Sequence, residues 1–281
     1  MLLHRAVARL CAVGIAIYVI ISVLPTDAQE ALSQPTAARD LQSIIDAKRL
    51  RVAVTRFDLP SFHTHRQDGT LVGAEIDIAQ QIGQALGVRV EFIEEADSFD
   101  AVVDLVAAER ADIGISKLSQ TYRRLHRVRF SEPYLTLRHA LLFNRAAIAR
   151  EANGRPPAAV LQRYRGRIGV IAGSAYVDFA MTNFPEASVI KAPTWDDVVT
   201  SLLAGQVDAI YRDEFEIRRI VKISPALNVQ FGTAAITDQN ALLSIAICDT
   251  CSKLQELINY HLGRTKNNIT LKTLLDSDAH K

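Results

Sequence analysis

From Leu50 onward, hydrophobic positions alternate between the period of a strand and the period of a helix. Val88–Phe92 alternates apolar and polar residues, as a half-buried strand does, whereas Glu75–Leu86 has apolar residues at helical spacing before Gly87. The elements predicted in this first series are a strand over Leu50–Phe57, a helix over Glu75–Leu86, a strand over Val88–Phe92, a helix capped by Ser98 that runs through Ala108, and a strand over Ala111–Ser116.

A second series of the same kind follows a break at Asn153–Ala158, which reads NGRPPA. Thr194 can start a helix as the first residue of a capping box, with Asp197 in place of the usual Glu or Gln. Alternating strands and helices predict sheets with crossover helices, so the fold class is α/β. The second series comprises a strand over Arg167–Ile171, a helix opened by Gly173 and Ser174, a strand over Ala187–Lys191, a helix from Thr194 to Gly205, and a strand over Val207–Tyr211.

Two apolar segments lie where the two series meet. Leu135–Phe143 is placed to leave the first lobe for the second, and Ala241–Ile247 is placed to return. We therefore predict one lobe from residues 40–143 with 238–281, a second from residues 144–237, and a two-strand hinge between them. A cleft between hinged lobes is a natural ligand site, and ligands of open α/β sheets lie beyond the carboxyl ends of strands.

Composition and charge narrow the class of protein. The chain has 281 residues, 49% of them hydrophobic, and a net charge of +1 from 32 basic and 31 acidic side chains. This balance argues against a dedicated nucleic-acid binder, which usually has a broad basic excess. The basic cluster between Arg123 and Arg129 therefore needs a local explanation.

The first 28 residues differ from the rest of the chain. MLLHRAVAR carries positive charge, Leu10–Leu24 is almost wholly apolar, and Thr26–Ala28 offers small residues at a plausible cleavage point. These features predict a secretory signal peptide for residues 1–28, because the apolar run is shorter than the roughly 20 residues that span a bilayer. An uncleaved N-terminal anchor is the alternative, and either reading predicts a periplasmic location.

Cys248 and Cys251 are spaced CDTC after a strand-like run. In an oxidising compartment this spacing favours a local disulfide. A thioredoxin-like redox site is the alternative, but Asp249 between the sulfurs would disfavour a thiolate. His63 and His65 lack an evident third ligand, so a solvated loop is favoured over a metal site, and neither metal nor cofactor is expected.

Five segments of the chain stand in a distinctive order and spacing: LRVAVTRFDLPSF, DGTLVGAEIDIAQQIGQALGVRVEF, ADIGISKLSQTYRRLHRVRFSEPY, RIGVIAGSAYVDF and LLAGQVDAIYRDEF. Together they resemble the extracytoplasmic polar amino acid-binding proteins of ABC transporters, family 3. The resemblance covers Leu41–Leu275 and implies the two-lobed type II periplasmic-binding fold, which closes on its ligand.

The resemblance also implies roles for individual residues. Arg124, six residues before the phenylalanine of FSEPY, matches the arginine that holds the ligand's α-carboxylate, and a planar guanidinium can do this bidentately. Asp213 matches the acid that pairs with the α-ammonium, although it could also cap the helix that begins at Glu214. Further matches are Ser116 and Ser119, which could instead form local turn bonds, and Ser174 and Ala175 in the second lobe.

Departures from the family pattern concern the ligand side chain. Leu59 stands where an aromatic ring is frequent, so Phe99, Phe57 or Phe62 could supply the apolar surface, with core packing as the alternative for Phe62. Lys117 and Arg56 add cations that would repel lysine or arginine and favour a second anionic group. The expected ligand is an acidic or neutral polar amino acid or a related dicarboxylate. Alternatively, both cations face solvent or pair with Asp58 or Glu75.

The predicted function is that of a monomeric receptor that delivers its ligand to an ABC permease without catalysis. One alternative is an enzyme on the same fold that dehydrates prephenate or arogenate, with Glu75 or Glu214 as proton donor. Another is a ligand-sensing module for a separate signalling protein.

Overall fold

A computed structural model describes residues 41–152, 160, 163–265 and 269–278. All of them lie within one compact unit, residues 38–281. The predicted leader over residues 1–28 and the NGRPPA segment lie outside the described residues.

The described chain alternates helices and strands along most of its length. The helices are α1 (Leu41–Asp46), α2 (Ala74–Leu86), α3 (Phe99–Ala107), α4 (Tyr122–Leu125), α5 (Arg145–Ala152), α6 (Ala175–Asn183), α7 (Trp195–Leu203), α8 (Glu214–Ile223), α9 (Leu227–Gln230), α10 (Ser252–Thr265) and α11 (Leu271–Asp278). The strands are β1 (Arg49–Thr55), β2 (Thr64–His65), β3 (Leu71–Val72), β4 (Arg89–Ala96), β5 (Ile113–Gly114), β6 (Arg129–Phe130), β7 (Leu135–Asn144), β8 (Arg167–Ile171), β9 (Ser188–Ala192), β10 (Ala209–Asp213), β11 (Phe231–Leu243) and β12 (Ala246–Ile247).

The first lobe is built on a five-stranded sheet in the order β4–β1–β5–β12–β6. β1 is parallel to β4 and β5, and β12 is antiparallel to β5 and β6. Val52, Ala53 and Val54 of β1 are fully buried, because α2 and α3 pack against this sheet. α3 starts where its cap predicts: the Ser98 side chain accepts a hydrogen bond from the Ala101 amide.

The second lobe is built on a five-stranded sheet in the order β11–β7–β10–β8–β9. β8 is parallel to β9 and β10, whereas β7 is antiparallel to β10 and β11. The predicted capping box is present, since Thr194 and Asp197 exchange hydrogen bonds at the start of α7. Ser174 stands at the N-cap of α6, as predicted.

β7 and β11 form the two crossings between the lobes. They run antiparallel, with Leu243 opposite Leu135 at one end and Phe231 opposite Asn144 at the other, and the register shifts between Ile236 and Asn240. The predicted domain boundaries stay predictions, and β7 already pairs with β10 over 139–143.

The predicted continuous strand over Ala241–Ile247 is wrong, because it breaks into β11 and β12. The Ser244 amide donates to the Leu118 carbonyl at 2.9 Å, and the Ile245 amide donates to Ser131 Oγ at 3.0 Å. These bonds draw the backbone away from β7 and into the first sheet.

Cys248 and Cys251 are joined by a disulfide with Cα atoms 5.3 Å apart, as the favoured reading predicts. Both residues are buried, ahead of α10. Within residues 41–278, as far as they are described, no group of three or more potential metal-ligating side chains occurs. The described helices include none with the length and apolar character needed to span a bilayer.

Candidate functional site

A small buried cavity lies between the two lobes. Its volume is about 10 Å³, and it receives residues that follow β5 in the first lobe, residues that follow β8 in the second, and the last two residues of β10. Strand ends of both sheets therefore converge there, as expected for α/β lobes. The lining comprises Phe99, Lys117, Ser119, Arg124, Ser174, Ala175, Tyr176, Arg212, Asp213 and Leu243.

Arg124 lies in α4 with only 2% of its surface exposed. Thr121 caps this helix by accepting a hydrogen bond from the Arg124 amide. Nε and one terminal nitrogen of Arg124 donate to Asp100 Oδ1 at 2.9 and 2.8 Å, and Nη1 donates to the Ser119 carbonyl at 2.9 Å. Burial lowers the pKa of the guanidinium and Asp100 opposes that shift, but arginine remains charged. These bonds use three of the five N–H groups, so each terminal nitrogen keeps one for a carboxylate.

The neighbouring arginines of the basic cluster are far more exposed than Arg124. The side chains of Arg123, Arg127 and Arg129 are 45%, 43% and 43% exposed. Arg123 also reaches across the cleft, where it pairs with Asp178 of the second lobe at 3.1 Å.

Of the two predicted first-lobe serines, Ser119 and Ser116, one lines the cavity and the other does not. Ser119 lines the cavity and forms an isolated β-bridge with Leu243. Ser116 lies outside the lining, where its hydroxyl accepts a hydrogen bond from the Thr55 amide at 2.9 Å. The local-bonding alternative therefore describes the contacts of Ser116.

The turn after β8 brings Ser174 and Ala175 to the cavity. Gly173 has a φ of +63°, and the Ser174 hydroxyl donates to the Ile171 carbonyl at 2.7 Å. Across the cleft, the Asp100 amide donates to the Gly173 carbonyl at 2.9 Å. This bond joins the starts of α3 and α6.

Asp213 caps α8 and lines the cavity, so both interpretations of it hold. Its carboxylate accepts from the Glu216 amide at 3.1 Å and lies 3.3 Å from Lys117 Nζ and 3.4 Å from Arg212 Nε. Burial tends to raise the pKa of Asp213, but the Lys117 and Arg212 cations outweigh burial and hold it below its usual value. Asp213 is therefore an internally paired carboxylate.

Lys117 differs from both alternatives stated for it. Its ammonium is neither in solvent nor on Asp58 or Glu75; it pairs with Glu216 at 2.8 Å as well as with Asp213. The ammonium also lies 4.5 Å from the ring centre of Phe62 and 4.9 Å from that of Phe215. Aromatic faces favour a cation at this distance, so the side chain is held on several sides.

Arg212, like Tyr176, lines the cavity although the sequence did not single it out. It is 4% exposed, and its guanidinium carbon lies 5.2 Å from the Phe99 ring, 5.4 Å from Trp195 and 5.9 Å from Tyr176. Its Nη1 has no hydrogen-bond partner among the described residues, and neither does the hydroxyl of Tyr176. The only sequence signal was the position of Arg212 directly before Asp213, at a predicted strand end.

Other predicted residues lie away from the cavity. Arg56 is exposed and Leu59 is 5% exposed within the first lobe's core, and neither lines the cavity. Phe62 is buried edge-on against Phe215, so core packing describes it better, whereas Phe57 packs against Phe99.

The solvated-loop prediction is wrong for His63, which is fully buried with Nε2 3.0 Å from Thr55 Oγ1 and Nδ1 3.2 Å from Glu75. Its neighbour His65 is about one-third exposed, as a loop residue would be.

The carboxylates suggested as proton donors also lie outside the lining. Glu75 is fully buried and accepts from the Lys117 amide at 2.6 Å. Glu214 pairs with Arg138 at 2.8 Å and Arg218 at 3.1 Å, and these cations lower its pKa against the opposing effect of burial. Both carboxylates are thus engaged elsewhere.

Residues 50–156 match the family described as bacterial extracellular solute-binding proteins, family 3. The chain is 24% identical over 181 residues to the histidine-binding periplasmic protein of Salmonella typhimurium, covering 63% of this chain and 66% of that protein. It is 26% identical over 182 residues to the lysine/arginine/ornithine-binding periplasmic protein of Escherichia coli, covering 64% and 65%. These matches span just under two thirds of each relative.

Solved structures share the architecture. An amino acid ABC transporter substrate-binding protein from Streptococcus pneumoniae, bound to L-arginine, is 25% identical with a TM-score of 0.66, covering 85% of this chain and 98% of that one. An ancestral amino acid-binding protein, a precursor of cyclohexadienyl dehydratase, is 22% identical with a TM-score of 0.65, covering 84% and 97%. At that identity the second likeness concerns the fold alone. The predicted two-lobed fold is confirmed.

Proposed function

We propose that this chain, whose residues 50–156 match the bacterial extracellular solute-binding proteins of family 3, captures a small carboxylate solute between its lobes for import by an ABC permease. The observation that carries this proposal is the convergence of Arg124, from the first lobe, and Asp213, from the second, on one buried cavity. Neither lobe supplies both charges by itself, so the complete site exists only when the lobes meet.

Arg124 is proposed to hold a carboxylate of the ligand. Its free N–H groups on the two terminal nitrogens can donate, as a planar fork, to the two oxygens of one carboxylate. Asp100 and the Ser119 carbonyl fix the guanidinium from its other N–H groups, so little side-chain entropy remains to be lost on binding.

Capture is proposed to proceed by closure around β7 and β11. A volume of about 10 Å³ holds about one water-sized probe, which is too little for an amino acid. The ligand must therefore enter while the lobes are apart, and its contacts to both lobes then favour the closed form. This cycle needs no general acid or base.

The proposed ligand class is an acidic or neutral polar amino acid or a related dicarboxylate. Two relatives are named for histidine and for lysine, arginine and ornithine. In this chain, Lys117 and Arg212 line the cavity together with Arg124, and these cations would repel a cationic side chain. The relatives' ligands are therefore not carried over.

The proposed location is the periplasm, and the proposed partner is a permease of the inner membrane. The signal-like first 28 residues, the Cys248–Cys251 disulfide and the periplasmic names of the relatives support this location. Fractionation of cells, with mass measurement of the mature N-terminus, tests export and cleavage together.

Isothermal titration of ligand-free protein with amino acids and small dicarboxylates tests the function. We expect micromolar or tighter binding of at least one carboxylate. Arg124→Lys should weaken it roughly tenfold or more, because lysine lacks the planar fork. Arg127→Lys, in the exposed position three residues on, should leave affinity unchanged.

Equal affinity for both arginine variants would contradict the role proposed for Arg124. No binding by any member of the panel would contradict the receptor function. Aromatic product from prephenate or arogenate would support the enzymatic alternative instead.

A further inference from the structure

We propose that the ligand of this cleft is a small dicarboxylate without an α-ammonium group, and that Lys117 internally occupies the ammonium position at Asp213. This inference rests on the proposed receptor function and narrows its ligand class. Three features of the cavity support it. They are a carboxylate that is already paired, a lysine held in place by its contacts, and hydrogen-bond donors without partners.

The first feature is that Asp213 is buried and already paired with two cations of the protein. It is 2% exposed and already contacts the Glu216 amide, the Lys117 ammonium and the Arg212 guanidinium. An incoming α-ammonium would have to displace a cation that is itself buried. If neither cation were displaced, three cations would share one carboxylate, which is unfavourable at low local dielectric.

The second feature is that Lys117 is held at both ends. Its backbone amide donates to Glu75 at 2.6 Å, and its φ of 47° lies in the left-handed region. Its ammonium pairs with Glu216 at 2.8 Å and lies over the Phe62 and Phe215 rings. Displacing this side chain would leave Glu216 as a buried carboxylate with weaker pairing, at 3.8 Å from Arg219.

The third feature is a pair of hydrogen-bond donors without partners. Arg212 and Tyr176 line the cavity, and Arg212 Nη1 and the Tyr176 hydroxyl are buried with no partner among the described residues. Burial first, and Asp213 second, raise the pKa of Tyr176 well above its usual value, so the hydroxyl keeps its proton. An ammonium is itself only a donor, so it cannot satisfy Arg212 Nη1 and could meet the Tyr176 hydroxyl only as an acceptor.

A second carboxylate satisfies both groups. One oxygen can accept from Arg212 Nη1 and the other from the Tyr176 hydroxyl, while Arg124 holds the first carboxylate. The charged residues of the lining are three cations and one carboxylate. Asp100 and Glu216 lie outside the lining and neutralise two of these cations, Arg124 and Lys117, so the second carboxylate rests on the unpartnered donors rather than on net charge.

Isothermal titration with two matched pairs at neutral pH tests this assignment: succinate against aspartate, and glutarate against glutamate. Within the pair that binds, we expect the dicarboxylate without the amino group to bind at least about tenfold more tightly. Equal or tighter binding of aspartate or glutamate would overturn the inference while leaving the receptor function intact. No binding by any of the four compounds would also overturn it, and the wider panel then decides the receptor function separately.

Lys117→Ala tests the role of Lys117 in ligand preference. Lys191→Ala, at an exposed position, is its matched control. Removing Lys117 frees Asp213 for an ammonium, so the preference should shift by about tenfold or more toward the amino acid of the pair. Lys191→Ala should retain the wild-type preference. An unchanged preference in folded Lys117→Ala, judged by its melting curve, would refute the role of Lys117.

Tyr176→Phe tests the proposed position of the second carboxylate without changing the charge of the site. It removes one hydroxyl, so we expect about tenfold weaker binding of the dicarboxylate and little change for a monocarboxylate such as butyrate. Tyr260→Phe, at a position 67% exposed, is the control. Equal losses of affinity for the dicarboxylate and the monocarboxylate would argue against the proposed position of the second carboxylate.

Discussion

At the residue scale, Glu75 is a fully buried carboxylate beneath the cleft. It accepts hydrogen bonds from the Lys117 amide at 2.6 Å and from the Tyr134 hydroxyl, and it contacts His63 Nδ1 at 3.2 Å. Burial, with the Glu75 charge as a further cause, raises the pKa of Tyr134 well above its usual value, so the phenol stays a donor. Glu75 thus fixes the backbone that presents Lys117.

We expect Glu75→Gln to lower the free energy of unfolding by about 2 kcal/mol, because charge-assisted hydrogen bonds become neutral or mismatched. Asp77→Asn is the matched control, since Asp77 lies in the first turn of the same helix but is exposed. It should cost about 0.5 kcal/mol or less, through the helix dipole alone. Urea unfolding measures both, and equal losses would contradict the role assigned to Glu75.

His139 gives the second lobe a pH dependence. It is 1% exposed among Tyr176, Phe179 and Tyr211. Burial lowers its pKa from 6.5 to about 4, and Asp213 opposes this shift only in part. Between these values the unfolded chain binds a proton that the folded chain does not. Stability therefore falls as pH drops from about 6.5 to 4, by about 3 kcal/mol in total.

We expect His139→Asn to flatten the stability profile in that window, since asparagine does not titrate there. Urea unfolding at a series of pH values from 7 to 4 measures the slope. His126→Asn, at an exposed position, should retain the wild-type slope. A wild-type slope in His139→Asn would locate the pH dependence elsewhere.

Which residues meet at the cavity was largely predictable, whereas their partners were not. The resemblance brought Arg124, Ser119, Ser174 and Asp213 to one site, because each lies in a segment of recognisable order. Lys117 pairs with Glu216, 99 positions away, and no local pattern encodes such a contact.

The same limit applies to the aromatic rings around Arg212, which come from both lobes and meet only in the folded chain. Tertiary placement of the HTH segment likewise buried His63, although its sequence resembles a solvated loop.

At the scale of elements, the tight turn between β8 and α6 meets the start of α3. Gly173 has a φ of +63°, and a Cβ there would lie 2.8 Å from the Ser98 Cβ of the other lobe. Gly205 is the natural comparison, since its φ is +69° but a Cβ would meet nothing within 4 Å.

Gly173→Ala and Gly205→Ala should each cost about 1 kcal/mol of unfolding free energy, because both place a side chain in the left-handed region. Only Gly173→Ala should also weaken ligand binding, by about tenfold, because its methyl group meets Ser98 when the lobes close. Melting curves and calorimetry separate the two effects. Equal affinities would show that this turn does not limit closure.

Local sequence signals predicted where helices and strands occur better than they predicted where strands end. Ser98, Thr194 and Ser174 stand at helix starts because capping is decided within a few residues. The strand expected over Ala111–Ser116 keeps only Ile113–Gly114, and the one expected over Ala241–Ile247 breaks. In both places hydrogen bonds to distant segments, rather than local propensity, decide where pairing ends.

At the scale of the whole molecule, the described structure is closed by contacts from the protein itself. Lys117–Glu216, Arg123–Asp178 and the Asp100–Gly173 backbone bond all connect the first lobe to the second. Of these, the lysine pair is buried, so solvent screens it least. The cleft is therefore biased toward closure before a ligand contributes.

We expect Lys117→Ala to shift the ligand-free protein toward an open form. Spin labels on Tyr122→Cys and Met181→Cys, at exposed rim positions 88% and 53% accessible, report the distance between lobes. The distance distribution should lengthen in Lys117→Ala and remain short in Lys191→Ala. Identical distributions would show that other contacts set the closed population.

The paired crossings have a further consequence. Arg138 and Asn240 face each other across β7 and β11, just before β7 begins to pair with β10, so the chain enters and leaves the second lobe at a single neck. Residues 139–239 carry Tyr176, Arg212 and Asp213, while Arg124 belongs to the first lobe. Recombination at that neck would transfer the second lobe's binding residues together into another receptor of the same fold. Ligand selectivity in such proteins can therefore evolve, or be engineered, by exchanging half of a binding site.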